Sequence, residues 1–305
     1  MSADEKRRRL FSLLGDLPRR AGVPAGRLCE ATLHAGHDLE LWSLDLNGRE
    51  PVPALLVVPR GVAVRGVVLY CHAHGNRFDI GKDELLTGRP AIAAPPYGAV
   101  LPAMGFAVLA IDHWGFGERA SASERVLNKR FLWDGGTLWG MRVADTLAAF
   151  DWLRAHFAGV PVVTLGMSMG STMAWWAAAL EPAIAGCVDL CCLAEFEALT
   201  ATGADDLHGE YYFVPGLRKH FTAAGINALI APRPHLSCAG AEDPLTPPSG
   251  LRAIDEALST AYAEAGSADA WQQRVYASGH RETPEMREAV LAFMAGWFGG
   301  RASDR

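Results

Sequence analysis

The sequence predicts an α/β fold, a mostly parallel, doubly wound sheet flanked by helices, on three observations. Runs at 64–71, 106–112, 160–165, 184–193 and 235–239 are almost wholly apolar, as strands covered on both faces are. Helical stretches alternate with them, the order expected of a sheet between two helix layers. Around residue 168 a β-branched run passes through a glycine-flanked serine directly into an apolar helix: strand, sharp turn, helix. At 305 residues, 50% of them hydrophobic, the chain can bury one large core. One domain is therefore expected over 1–305, with a helix and a β-rich lead-in over 1–50.

Taken in order, residues 4–14 read as a short amphipathic helix. Strands follow at 29–35, 39–46 and 53–58. The middle one alternates as Leu39-Glu40-Leu41-Trp42-Ser43-Leu44-Asp45-Leu46 and is half exposed, and Asn47-Gly48 signals a hairpin turn into the third. The strand at 64–71 runs out into His72-Ala73-His74-Gly75-Asn76. A helix over 91–104, broken or begun near Pro95-Pro96, leads into the strand at 106–112, and a long helix over 138–157 leads into the strand at 160–165. Beyond the turn come a helix at 171–180, a strand at 184–193 and an irregular, aromatic stretch at 194–221 inside a small insertion over 194–225. A short helix at 226–230, a strand at 235–239, a helix at 248–265 and a strand at 271–276 complete the alternation. The last helix starts at Thr283-Pro284, with threonine as N-cap and proline in the first helical position. No internal repeat, low-complexity tract or linker is visible.

Charge and cysteine usage narrow the function classes. A net charge of -6 and a pI near 5.9 leave no basic face for a nucleic-acid partner. Arg7-Arg8-Arg9, the basic run, is followed by no long apolar segment of the secretory kind, and no stretch reaches the roughly 18 apolar residues of a membrane span. A soluble, cytoplasmic protein is expected. Of the six cysteines, Cys71, Cys187, Cys191, Cys192 and Cys238 fall in or beside apolar runs, and no spacing is a C-x-x-C pair, so reduced, buried thiols are expected.

Gly166-Met167-Ser168-Met169-Gly170 is the turn on which the chemistry rests. Glycines at 166 and 170 allow the strand end and the helix start to approach closely, so Ser168 can hold a strained backbone angle and expose its Oγ. The helix N-terminus supplies N–H groups and a positive dipole end where an oxyanion would form. A serine hydroxyl needs a base, and the base an acid that fixes its tautomer. Both must come from loops at the C-terminal ends of the strands. Asp243, in Ala239-Gly240-Ala241-Glu242-Asp243-Pro244, follows the strand at 235–239, and His280, in Ala277-Ser278-Gly279-His280, follows the strand at 271–276. The order is Ser168, Asp243, His280. Asp112 and Asp189, near other strand ends, are the alternative acids.

This order, the G-x-x-D-P loop and the Gly-His between last strand and last helix resemble the α/β-hydrolase family from about residue 50 to 300. Tyr70-Cys71-His72-Ala73-His74-Gly75, the segment Ile111 to Arg119 and Ala231-Pro232-Arg233-Pro234 are similar to its dienelactone hydrolase-like and acetyl xylan esterase-like branch, akin also to the catalytic domain of prolyl oligopeptidases. Dienelactone hydrolases proper carry cysteine where this chain has Ser168. The resemblance implies an oxyanion hole from the N–H of Met169 and a second N–H in the loop after the strand at 64–71, which the His-Gly-X pattern puts at Asn76.

Other polar residues have blander readings. His72 and His74 form an H-x-H without an obvious third ligand, so no metal is expected. His34, His37 and Asp38 suit a solvated hairpin, and His113, His208, His220 and His235 structural or surface positions. Glu118 and Arg119 suggest an ion pair at the site rim. Tyr211-Tyr212-Phe213 is read as core packing, or else as an apolar pocket wall. The function expected is cofactor-free hydrolysis of a small carboxylic ester, of short acyl chain, through an acyl-serine. A prolyl oligopeptidase-like peptidase, a thioesterase or lactonase, and a non-catalytic hydrolase-fold binding protein are the competitors. Oligomeric state is not legible.

Overall fold

β1 (Gly26–Leu33), β2 (His37–Leu44) and β3 (Val52–Pro59) form an antiparallel lead-in. β4 (Gly66–Cys71), β5 (Phe106–Ile111), β6 (Val162–Met167), β7 (Gly186–Leu190), β8 (His235–Gly240) and β9 (Trp271–Tyr276) run parallel to one another. All nine make one sheet in the order β1-β2-β3-β5-β4-β6-β7-β8-β9, joined where β3 pairs antiparallel with β5. The structure, a computed structural model, describes residues 1–298. Its helices are α1 (Ala3–Ser12), α2 (Glu84–Thr87), α3 (Tyr97–Ala103), α4 (Glu124–Trp133), α5 (Leu138–His156), α6 (Met169–Leu180), α7 (Phe196–Thr202), α8 (Ala223–Asn227), α9 (Pro248–Glu264) and α10 (Pro284–Phe298). Among the described residues no helix is long and apolar enough to cross a membrane.

The period of two along a strand splits the core into two layers. Val67 and Leu69 of β4 share one cluster with Leu10 of α1, Trp139 and Phe150 of α5, and Met173 and Trp175 of α6. Val68 and Tyr70 share the other with Tyr97 and Leu101 of α3 and with Met286, Val290 and Met294 of α10. Each such large side chain, removed from water, contributes about 1.5–3 kcal/mol. Strands buried on both faces are what the unbroken apolar runs require.

The chain visits β4, crosses to β5 on one side, then to β6 on the other. Such a switch of direction opens a crevice at the carboxyl ends of the strands, where the exits of β4, β6, β8 and β9 meet.

The structure corrects several boundaries. Of the two starts offered, α3 takes the one at Pro95-Pro96, beginning at Tyr97 and not at residue 91, because a proline fixes its own φ and pushes its predecessor out of the helical region. β7 spans five residues of the ten expected. The short helix expected at 226–230 lies at Ala223–Asn227, started by Thr222, whose hydroxyl accepts from Gly225 N–H at 2.9 Å. α2, α4 and α7 were not anticipated, α7 lying inside the stretch read as irregular. Arg119 does not pair with Glu118. It donates to Asp145 at 2.8 Å and to Glu50 at 2.7 Å, while Glu118 and the buried Asp112 take Lys82 Nζ at 2.7 and 3.1 Å.

Candidate active site

The turn after β6 is as tight as its sequence demands. A Cβ on Gly166 would collide with the Gly170 backbone, and one on Gly170 with the Cys71 carbonyl. Ser168 between them holds φ 58° and ψ -121°, a region that costs an L-residue on the order of 1–3 kcal/mol. Its N–H donates to Leu190 O at 2.8 Å, and its carbonyl accepts from Thr172 N–H at 3.1 Å, which anchors the strained residue to β7 and α6. Gly170→Ala is therefore expected to destabilise the protein by more than about 3 kcal/mol, since the obstructing atom is backbone and cannot rotate away. Urea unfolding against the wild type measures it, and a variant of wild-type stability would show that the turn relaxes.

The structure brings Ser168, His280 and Asp243 together. His280 Nδ1 lies 2.7 Å from Asp243 Oδ2, and His280 Nε2 lies 2.9 Å from Ser168 Oγ. A carboxylate can only accept, so Nδ1–H donates to it and the Nε2 lone pair faces the serine hydroxyl. Asp243 is buried, and its Oδ1 accepts from Leu245 N–H at 2.9 Å, which fixes the carboxylate. The two alternative acids are committed elsewhere. Asp112 accepts from Lys82 and from the N–H groups of Lys82 and Glu118. Asp189 holds His235 at 2.6 Å and Ser237 at 2.9 Å in the core.

The loop after β4 answers to two buried carboxylates. Glu84 of α2 accepts from Tyr70 OH at 2.7 Å and from Ala73 N–H at 3.0 Å, and it pairs with Arg89. Arg89 in turn donates to the carbonyls of Ala73 and His74 at 3.0 and 3.1 Å. The N–H of Asn76, expected to supply the second oxyanion donor, donates to His74 Nδ1 at 3.1 Å, inside its own loop. The N–H groups of His74 and Gly75 meet no acceptor among the described residues. The N–H of Met169, at the first position of α6, also has no partner within the helix.

The His74 ring donates through Nε2 to Glu124 at 3.1 Å. Burial alone would raise the Glu124 carboxyl, but that hydrogen bond and the nearby charge of Arg142 hold it below its ordinary value. His72 is buried, with its Nδ1 on Ala73 O at 3.0 Å; desolvation pushes it down to about 3, so the ring is neutral. With both rings so occupied, the H-x-H makes no metal pair. Among the described residues, Cys187, Asp189 and His235 lie at ligand-like spacing, fully buried, with Asp189 and His235 already hydrogen-bonded to each other.

The aromatic run of the insertion divides three ways. Tyr211 is buried, its ring stacked on His74 with centroids 5.1 Å apart. Tyr212 stacks on His208 and, with Phe196, Leu199, Val214 and Leu217, lines a cavity of about 240 Å³. Phe213 is half exposed. His208, read as a structural or surface histidine, donates from Nε2 to Leu245 O at 3.2 Å and so packs the insertion against the Asp243 loop. Glu124 and Arg142 were missed. Ser123-Glu124 is a helix-start signal, and a lone arginine in the apolar run of α5 marks a buried charge that needs a partner.

Comparison with known families matches residues 85–201 to the one described as alpha/beta hydrolase fold. YtaP of Bacillus subtilis (strain 168), named as a presumed hydrolase, is 42% identical over 96% of this chain and 99% of its own length. The chain belongs to the α/β-hydrolase family. Among solved structures, acetyl xylan esterase 1 from Thermoanaerobacterium sp. JW/SL YS485 is similar at a TM-score of 0.62, with 18% identity over 97% of this chain and 93% of that one. A glucuronoyl esterase from Solibacter usitatus is similar at a TM-score of 0.69, with 14% identity over 96% and 92%. At such identities the likeness is one of fold.

Proposed function

We propose that the protein hydrolyses carboxylic esters of short acyl chain through a covalent acyl-serine. The observation that carries this reading is the hydrogen-bonded line from Ser168 Oγ through His280 to the buried Asp243, with the serine held at a positive φ on a strand-to-helix turn. Ser168 Oγ attacks the ester carbonyl as its proton passes to His280 Nε2. Asp243 orients the imidazole and stabilises its charge. The oxyanion takes hydrogen bonds from the N–H of Met169 and from an open N–H of the His74-Gly75 loop. His280 then protonates the departing alkoxide, and water, giving its proton to the same nitrogen, frees the acid. No step calls for a cofactor. The buried, free cysteines support a cytoplasmic location for this chemistry.

The preference for short chains is supported by the compact insertion, one short helix and three tight turns packed against the acid loop, and by the acetyl esterase among the fold neighbours. p-Nitrophenyl esters from acetyl to decanoyl, assayed beside thioester, lactone and peptide substrates, provide the test. Acetyl to butyryl esters are expected to give kcat/KM at least about tenfold above decanoyl, the discrimination that a difference of a few methylenes supports. A decanoyl preference would refute the acyl assignment. Faster thioester, lactone or peptide turnover would move the substrate class, and binding without turnover throughout would make the protein a binding module.

A further inference from the structure

Arg142 is wholly buried in the second turn of α5, and its partners include the residue directly after Ser168. Its Nε and Nη2 donate to Trp114 O at 3.2 and 2.7 Å, Nη2 donates to Glu124 at 2.7 Å, and Nη1 lies 3.3 Å from Met169 Sδ. The guanidinium sits 5.1 Å from the ring centroids of both Phe116 and Tyr211, and Tyr211 stacks on His74. Glu124 closes the path by accepting from His74 Nε2, and His74 Nδ1 accepts Asn76 N–H. A charge buried in this way costs several kcal/mol unless well paired, and an apolar side chain would fill the same space at no such cost. The two ends of this path are therefore informative. One is Met169, directly after the nucleophile, and the other is His74, in the loop whose open N–H groups would form the second arm of the oxyanion hole.

We propose that Arg142, Glu124 and His74 form a buried positioning chain that fixes the spacing between the two arms of the oxyanion hole. The inference rests on the esterase reading above. The tautomer follows from the geometry: with Nδ1 accepting from Asn76, the His74 proton sits on Nε2 and points at Glu124. The ring is then neutral, locked at both nitrogens, and its backbone is held in the loop that carries the open N–H. Arg142 has no route to the substrate, because its fork is consumed by Trp114, Glu124 and Met169. It acts through Met169 and Glu124, as does Glu124 through His74. Breaking the chain lets one arm drift, and a displacement of about 1 Å at a catalytic group costs about 10²-fold in rate. Because the hole is engaged only once the carbonyl has become tetrahedral, that loss falls on kcat and not on KM.

Two near-isosteric substitutions test the chain. Glu124→Gln keeps the volume and removes the charge that pairs with Arg142. Arg142→Lys keeps the charge and removes the fork. Each is measured for kcat and KM on p-nitrophenyl acetate and for Ki of a trifluoromethyl ketone. That ketone takes the Ser168 oxygen at its carbonyl carbon while the serine proton passes to His280, leaving an oxyanion in the hole. Both variants are expected to fold, by circular dichroism, and to lose about 10- to 100-fold in kcat with KM within about threefold. The ketone should weaken by the same factor as kcat. A kcat within twofold of wild type in either folded variant overturns the inference, as does a lowered kcat with unchanged ketone affinity, which would mark a merely structural role. A rise in KM alone also overturns it, by making the group a substrate contact. Wild-type protein that leaves Ser168 unmodified by the ketone would remove the underlying esterase reading, a result separate from any of these.

Discussion

Ser168→Ala is expected to lower kcat for ester hydrolysis by at least about 10⁴, the scale of loss when the nucleophile of a serine triad is removed. The argument is geometric. Ser168 Oγ is the hydroxyl that faces the His280 lone pair at 2.9 Å, and its neighbours on the turn offer no substitute nucleophile. Thr172 lies one helical turn on, and its hydroxyl is spent on the carbonyl of Ser168 at 3.4 Å. Alanine deletes one hydroxyl and leaves the backbone strain as it was, so thermal unfolding should move little. Residual turnover comes from binding and the oxyanion hole alone. Ester assays on the purified variant, with a melting curve beside them, separate loss of chemistry from loss of fold.

The second large effect belongs to Asp243→Asn. An asparagine can offer its amide N–H to His280 Nδ1, which then presents the wrong tautomer, with the proton on the nitrogen that must accept from serine. In a well-studied serine protease this change costs about 10⁴ in kcat, and a similar loss is expected here. Asp112→Asn and Asp189→Asn should instead leave kcat within about tenfold and lower stability by about 1–3 kcal/mol, because each removes charge from a buried cluster whose hydrogen bonds go to groups other than His280. Measuring kcat/KM and urea unfolding for all three settles the assignment. Should Asp189→Asn or Asp112→Asn be the crippling change while Asp243→Asn keeps wild-type activity, the triad acid is misassigned.

Much of the fold was legible because burial on both faces leaves a simple mark. The uninterrupted apolar strands from 66 to 71 and from 106 to 111 needed no tertiary knowledge. The glycines at 166 and 170 state a steric requirement that the structure repeats atom by atom. α4 and α7 escaped for the opposite reason. Their buried residues are few, and in α4 the exposed Val126, Leu132 and Trp133 blur the boundary between faces, so neither shows a long apolar stripe, and they persist through N-caps at Ser123 and Glu195 and through packing. The pairing of Arg119 was misread because Glu118 is its neighbour in sequence, whereas Asp145 is 26 residues away and reaches it only after α5 has docked. Asn76 was placed by pattern. Which N–H of a loop is left open depends on where each of the others goes, and that accounting needs the His74 ring, Glu84 and Arg89 in three dimensions.

The covalent step is the centre of this account, and trapping it is the most direct measurement. Wild-type protein is treated with a fluorophosphonate, digested, and the modified peptide sequenced by mass spectrometry. The phosphonyl group is expected on Ser168 alone, with labelling lost in Ser168→Ala and slowed in Asp243→Asn in step with its kcat. Label on a different serine, or ester turnover that continues with Ser168 unmodified, would contradict the acyl-serine mechanism.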